Sequence, residues 1–112
     1  MLKGIPAILP PQLLKVLCEM GHSDTLVIAD GNFPSESIGR DGIVIRMDGH
    51  SAPEVLEAVL ELFPLDTYVS QPVSLMEVMS GDTVETPIWD TYGEIVKRRS
   101  GLEGSAIGHI ER

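Results

Sequence analysis

Apolar residues recur along this chain in two alternating patterns, one typical of helices and one typical of buried strands. Apolar positions three and four residues apart predict helices over about 11–20, 51–63 and 86–100. Short runs rich in apolar residues predict strands over about 25–29, 43–47, 73–79 and 106–110. The run 25–29 is continuously apolar, which suits a strand covered on both faces. Strands that alternate with helices predict an α/β layered domain, in which helices flank a mainly parallel central sheet. The length of 112 residues fits a single domain.

Residues at the helix boundaries support this division. Gly21 is expected to end the first helix in the left-handed conformation, and Gly101 is expected to end the third. Ser51 and Glu54 have the spacing of a capping box at the start of the second helix. Thr86 is expected to cap the third helix.

Cys18 is the only cysteine, so no disulfide can form within the chain. We expect Cys18 to be a small buried residue on the apolar face of the first helix, where a thiol stays protonated and inaccessible. A single cysteine fits a reducing compartment, and no apolar run approaches the ~20 residues of a membrane span. The sequence therefore predicts a cytoplasmic protein.

The charge balance restricts the partners. Eight basic and 17 acidic residues give a net charge of −9, and nucleic-acid binding draws most of its affinity from Lys and Arg at phosphates. Anionic membranes are unfavourable for the same reason. We expect no nucleic-acid or membrane partner, which leaves a neutral small molecule or a protein surface.

His22 and Asp30 are the first candidates for chemistry. Asp30 follows the predicted strand 25–29 at its carboxyl end, where open α/β sheets collect ligands. His22 precedes the same strand, and a histidine and a carboxylate near one cleft can perform acid–base work. Structural roles are the alternative: Asp30 would bond its own backbone in a turn, and His22 would satisfy the last carbonyls of the helix.

The remaining candidates carry weaker signals. His50 is expected to be a loop residue, whereas His109 could line a site, although a structural role is favoured. Trp89 and Tyr92 could stack on a sugar, although helix aromatics more often lie in a core or a subunit interface. The three histidines have no metal-ligand spacing, so we expect no metal.

Several collinear stretches resemble one known family, that of the fucose mutarotases and ribose pyranases. The matching stretches lie at 1–6, 13–17, 19–24, 28–34, 65–68, 81–83 and 110–112. The stretch Ile28-Ala29-Asp30-Gly31-Asn32-Phe33-Pro34 strengthens the resemblance, and the full collinear series is specific to the family. Within the family, the chain is most similar to the L-fucose mutarotases.

The resemblance implies an isomerase that interconverts the α and β anomers of L-fucose or a related free sugar. Ring opening and closure by acid–base catalysis needs neither a cofactor nor a metal. The resemblance places the general acid/base on His22 and sugar contacts on Asp30 and Arg112. It also implies a homo-oligomer, a decamer, with each site completed by a neighbouring subunit. The alternatives are a ribose pyranase-type ring-size isomerase and a non-catalytic sugar-binding ring protein.

The resemblance has one departure. Family chains continue past the match to Arg112 through a helix and a last strand, which hold a Tyr-x-Asn motif that contacts the sugar. The tyrosines of this chain are Tyr68 and Tyr92, and neither is followed by Asn two places on. We therefore expect residues 1–112 to be one mutarotase-like domain that lacks this terminal segment. An incomplete chain is the favoured explanation, and lost activity is the alternative.

Overall fold

Three helices precede the first strand in the residues that this computed structural model describes, Met1–Ile110. The helices are α1 (Pro11–Glu19), α2 (Ser35–Ile38), α3 (Ala52–Leu62) and α4 (Pro87–Ser100), with a 3₁₀ turn at Gly104–Ala106. The strands are β1 (Val73–Met76) and β2 (Ile107–Ile110). They pair in parallel, with Val73 opposite Ile107 and Met76 opposite Ile110. The predicted α/β class and the parallel pairing are confirmed.

Two of the predicted strands are wrong. Residues 25–29 and 43–47 have no regular secondary structure. Val27 is 71% exposed and Ile43 is 68% exposed, so these segments are not covered on both faces. An apolar run becomes a strand only where a neighbouring strand pairs with it, and the described part of the chain pairs neither segment.

The chain divides into two compact units, Met1–Leu62 and Phe63–Arg112. The buried residues of the first unit are Leu9, Leu13, Val55, Ala58, Val59 and Leu60. Spacings of three and four residues place Val55, Ala58 and Val59 on one face of α3. The apolar period of the sequence therefore identifies the buried face of this helix correctly.

The predicted capping box at the start of α3 is confirmed. The backbone N–H of Glu54 donates to Ser51 Oγ at 3.3 Å, and the backbone N–H of Ser51 donates to Glu54 Oε1 at 3.4 Å. These reciprocal bonds satisfy backbone donors that have no partner inside the helix.

The second unit contains the parallel strands and α4. Ile95, Val96 and Ala106 are buried in it. Gly101 ends α4 at φ 75°, and its N–H donates to the carbonyl of Lys97 at 2.8 Å, as predicted for a left-handed stop. Thr86 does occupy the N-cap position, but its side chain makes no capping bond.

Cys18 is exposed, contrary to the prediction of a buried thiol. Leu13 is the buried residue of α1, with Val16 and Leu17 half-buried beside it. Each residue turns a helix by about 100°, so Cys18 lies about 140° around α1 from Leu13. It therefore falls on the far side of the helix from the buried face.

Within residues 1–110, no helix combines the length and the hydropathy that a membrane span requires.

Candidate functional site

His22 lies in a tight turn that follows α1. The helix ends at Glu19, and the N–H of Met20 donates to the carbonyl of Val16 at 3.0 Å. The N–H of Asp24 donates to the carbonyl of Gly21 at 3.1 Å, which closes a four-residue turn with His22 at its second position. His22 is exposed there, so its imidazole is accessible to a ligand in this unit.

The left-handed residue of this turn is Ser23, with φ 75°, and not Gly21 as predicted. Met20 ends α1 in an extended conformation, with φ −64° and ψ 135°, so no left-handed stop is used. A turn closed from Gly21 to Asp24 with a positive φ at its third position has the pattern of a type II turn. That position favours glycine, and a serine there is strained.

Asp30 lies in a second turn, beyond the irregular segment 25–29. Its Oδ1 accepts a hydrogen bond from the N–H of Asn32 at 2.9 Å, and its carbonyl accepts one from the N–H of Phe33 at 3.2 Å. The carboxylate therefore bonds its own backbone, as the structural interpretation of Asp30 predicts. This bond also holds an exposed carboxylate in one orientation.

The two predicted site residues that the structure describes lie in the first unit. His22 and Asp30 belong to Met1–Leu62, each in its own turn on either side of residues 25–29. Arg112 lies outside the described residues. The proposed roles of all three residues stay predictions.

A small cavity lies beside the turn of His22. Its volume is about 180 Å³, and it is lined by Val16, Glu19, Met20, Asp24 and Ile43. The Oδ2 of Asp24 also accepts a hydrogen bond from the N–H of Gly21 at 2.8 Å. The same carboxylate thus belongs to the wall of the cavity and to the closure of the turn.

The second unit contains an aromatic pair, Trp89 and His109, whose contact the sequence did not predict. The rings of Trp89, on α4, and His109, on β2, lie 4.8 Å apart between centroids, at an angle of 51°. Ring pairs at this separation stabilise each other beyond the area that they bury. The sequence names both residues as candidates, but no local spacing relates positions 20 residues apart.

A larger open cavity, of about 410 Å³, adjoins Trp89. It is lined by Val84, Glu85, Thr86, Pro87, Trp89 and Asp90. Half-buried aromatic surface beside carboxylates suits a polyhydroxy ligand. Neither His22 nor Asp30 is among the residues that line this cavity. Its larger volume therefore does not identify it as the catalytic site.

His50 is a loop residue, as predicted. Its Nδ1 lies 3.3 Å from Glu54 Oε2. Hydrogen bonding to His50, and then to the backbone and hydroxyl of Ser51, lowers the pKa of the Glu54 carboxyl from its ordinary value. This cluster stabilises the start of α3.

Residues 1–110 contain no group of three or more His, Cys, Asp or Glu side chains that could hold a metal ion.

Comparisons with known proteins extend over almost the whole chain. Residues 3–112 match the model of the RbsD / FucU transport protein family. The chain is 47% identical to the fucose mutarotase of Homo sapiens, over 99% of this chain and 73% of that protein.

Two solved structures are also similar. The structure of FucU from Bifidobacterium longum is 63% identical, with a TM-score of 0.95, over 98% of this chain and 77% of that one. The fucose mutarotase of Streptococcus pneumoniae, solved in complex with L-fucose, is 42% identical, with a TM-score of 0.89, over 99% of this chain and 76% of that one. The family model and these relatives match this chain over nearly its whole length, and the chain therefore belongs to the RbsD / FucU family.

Proposed function

We propose that this chain is an L-fucose mutarotase, an isomerase that interconverts the α and β anomers of the free sugar. The similarity to the human fucose mutarotase, over 99% of this chain, carries this proposal. The related Streptococcus pneumoniae enzyme, solved in complex with L-fucose, supports the choice of sugar.

The reaction opens and recloses the sugar ring, and opening requires two proton transfers. One group removes the proton of the anomeric hydroxyl, and a second group donates a proton to the ring oxygen. The bond between the anomeric carbon and the ring oxygen breaks, which leaves an open-chain aldehyde. Closure of the ring on the opposite face of the carbonyl gives the other anomer. A positioned acid or base typically accelerates each transfer by ~10²–10⁴-fold.

We assign the proton transfer to His22. Histidine is the side chain whose unperturbed pKa lies near neutrality, so it can both accept and donate a proton under physiological conditions. The exposure of His22 in a hydrogen-bonded turn supports this role.

Asp30 and Arg112 are proposed to bind the sugar hydroxyls. The bond from the N–H of Asn32 to Asp30 Oδ1 supports the role of Asp30, because it orients the carboxylate before the sugar arrives. For Arg112, family resemblance alone supports this role.

The assembly and the location are proposed from the same resemblance. We propose that residues 1–112 act as one mutarotase-like domain of a cytoplasmic homodecamer, with a neighbouring subunit completing each site. Val27, Ile43 and Met79 are apolar and more than half exposed, and assembly of subunits is one way to cover such side chains.

Anomer exchange measured by saturation-transfer NMR on the full-length gene product tests the proposed activity. Exchange between the anomers of L-fucose is expected. Exchange between the ring sizes of ribose in its place would indicate a ribose pyranase, and binding without exchange would indicate a non-catalytic sugar-binding protein.

The role of His22 is tested by His22→Gln, which keeps hydrogen bonding but removes the imidazole. Exchange should fall by ~10²-fold or more. His50→Gln is the matched control, because His50 is a loop histidine outside the proposed site. Wild-type exchange in folded His22→Gln would exclude His22 as the acid/base.

A further inference from the structure

The turn that carries His22 is held by hydrogen bonds and not by packing. Residues 21–24 are all exposed, so burial contributes little to their conformation. Two hydrogen bonds close the turn: the N–H of Asp24 donates to Gly21 O at 3.1 Å, and the N–H of Gly21 donates to Asp24 Oδ2 at 2.8 Å. Both bonds involve Asp24, once through its backbone and once through its side chain.

The backbone inside this turn is strained. Ser23 has φ 75°, a conformation that L-residues other than glycine rarely adopt. Such a residue persists only where the surrounding structure determines its conformation. The bonds of Asp24 span Ser23 and His22 and provide that constraint.

We infer that Asp24 is a positioning residue for His22. Its carboxylate fixes the backbone of the turn, and the backbone in turn fixes the direction in which the imidazole leaves the chain. The inference rests on the proposed function, in which His22 transfers protons. Misplacement of a catalytic group by about 1 Å can slow a reaction by ~10²-fold, so the turn influences the rate without contacting the sugar.

Three variants separate this role from a general effect on stability. Asp24→Ala removes the acceptor for Gly21 N–H and should lower kcat for L-fucose exchange by ~10–10²-fold, with KM within about threefold. Asp24→Asn keeps an acceptor oxygen at the same distance along the side chain and should restore most of the lost rate. Asp66→Ala is the matched control: Asp66 Oδ1 accepts a similar bond from Tyr68 N–H at 2.9 Å, in the other unit. Its kcat should stay within about twofold of wild type.

A second measurement does not depend on activity. The ring protons of His22 are assigned by NMR from their loss in His22→Gln. Asp24→Ala should shift the ring signals of His22 and leave those of His50 and His109 unchanged. Asp66→Ala should leave the signals of His22 unchanged.

The two measurements distinguish failure of the inference from failure of the proposed function. Absence of L-fucose exchange in the wild type would refute the proposed function, and full exchange in His22→Gln would refute the assignment of His22 as the acid/base. In either case the ring signals would still decide whether Asp24 positions His22. Unchanged His22 ring signals in Asp24→Ala would overturn the inference. So would an Asp24→Asn variant as slow as Asp24→Ala, or an Asp24→Ala variant as fast as Asp66→Ala.

Discussion

Replacing Ser23 with glycine should stabilise the protein, because Ser23 holds φ 75° in the turn that carries His22. A non-glycine residue in the left-handed region costs about 1–3 kcal/mol. Glycine removes this strain, but it adds about 0.4–1 kcal/mol of conformational entropy to the unfolded state. The difference is a stabilisation of about 1 kcal/mol, or about 4 °C in Tm for a chain of this size.

Thermal and urea unfolding of Ser23→Gly check this value. The bonds that close the turn use Gly21 and Asp24, and not the serine side chain, so they should persist in the variant. Ser70→Gly is the matched control, because Ser70 is exposed and is not among the described residues with positive φ. The free energy of unfolding of Ser70→Gly should fall by about 0.4–1 kcal/mol, because glycine at this position adds conformational entropy to the unfolded state without relieving strain in the folded state. If Ser23→Gly is destabilised as much as Ser70→Gly, the assignment of strain to the turn is refuted.

Two further predictions concern α3. Val59→Ala should lower the free energy of unfolding, measured with urea, by about 2–3 kcal/mol, because Val59 is 2% exposed and the variant loses two buried carbon atoms and leaves a cavity. Val69 is 50% exposed, so the control Val69→Ala should change the free energy of unfolding by less than about 0.5 kcal/mol. The hydrogen bonds of Glu54 lower its folded pKa below the ordinary value of 4.5, so they stabilise the folded protein above that pH and lose this contribution as pH falls through the lowered pKa. In urea unfolding, Glu54→Gln should therefore be less stable than wild type at neutral pH, and this difference in the free energy of unfolding should shrink in acid. A difference that does not depend on pH would contradict the assigned role of the Glu54 carboxylate.

Local signals in the sequence determine the three longer helices and several of their boundaries. Three- and four-residue apolar spacing, the Ser51–Glu54 capping box and the left-handed Gly101 all act over one or two helical turns, and the structure contains each of them. The turn at Asp30 is equally local, since its carboxylate bonds an amide two residues away. Such features are predictable because the interacting groups are close along the chain.

Only the tertiary structure decided which apolar runs became strands and which candidates came together. Residues 73–76 pair with 107–110, whereas 25–29 and 43–47 have no such partner in the described chain, although the apolar residues of all four runs predict strands. The contact between Trp89 and His109 likewise depends on where α4 lies relative to β2. The family of the chain follows from residues that are recognisable in order, such as Gly21-His22-Ser23-Asp24. The conformation of that same turn could not be predicted from its residue types. Glycine is the residue that favours a positive φ, yet the turn closes between Gly21 and Asp24 and forces Ser23 to adopt it.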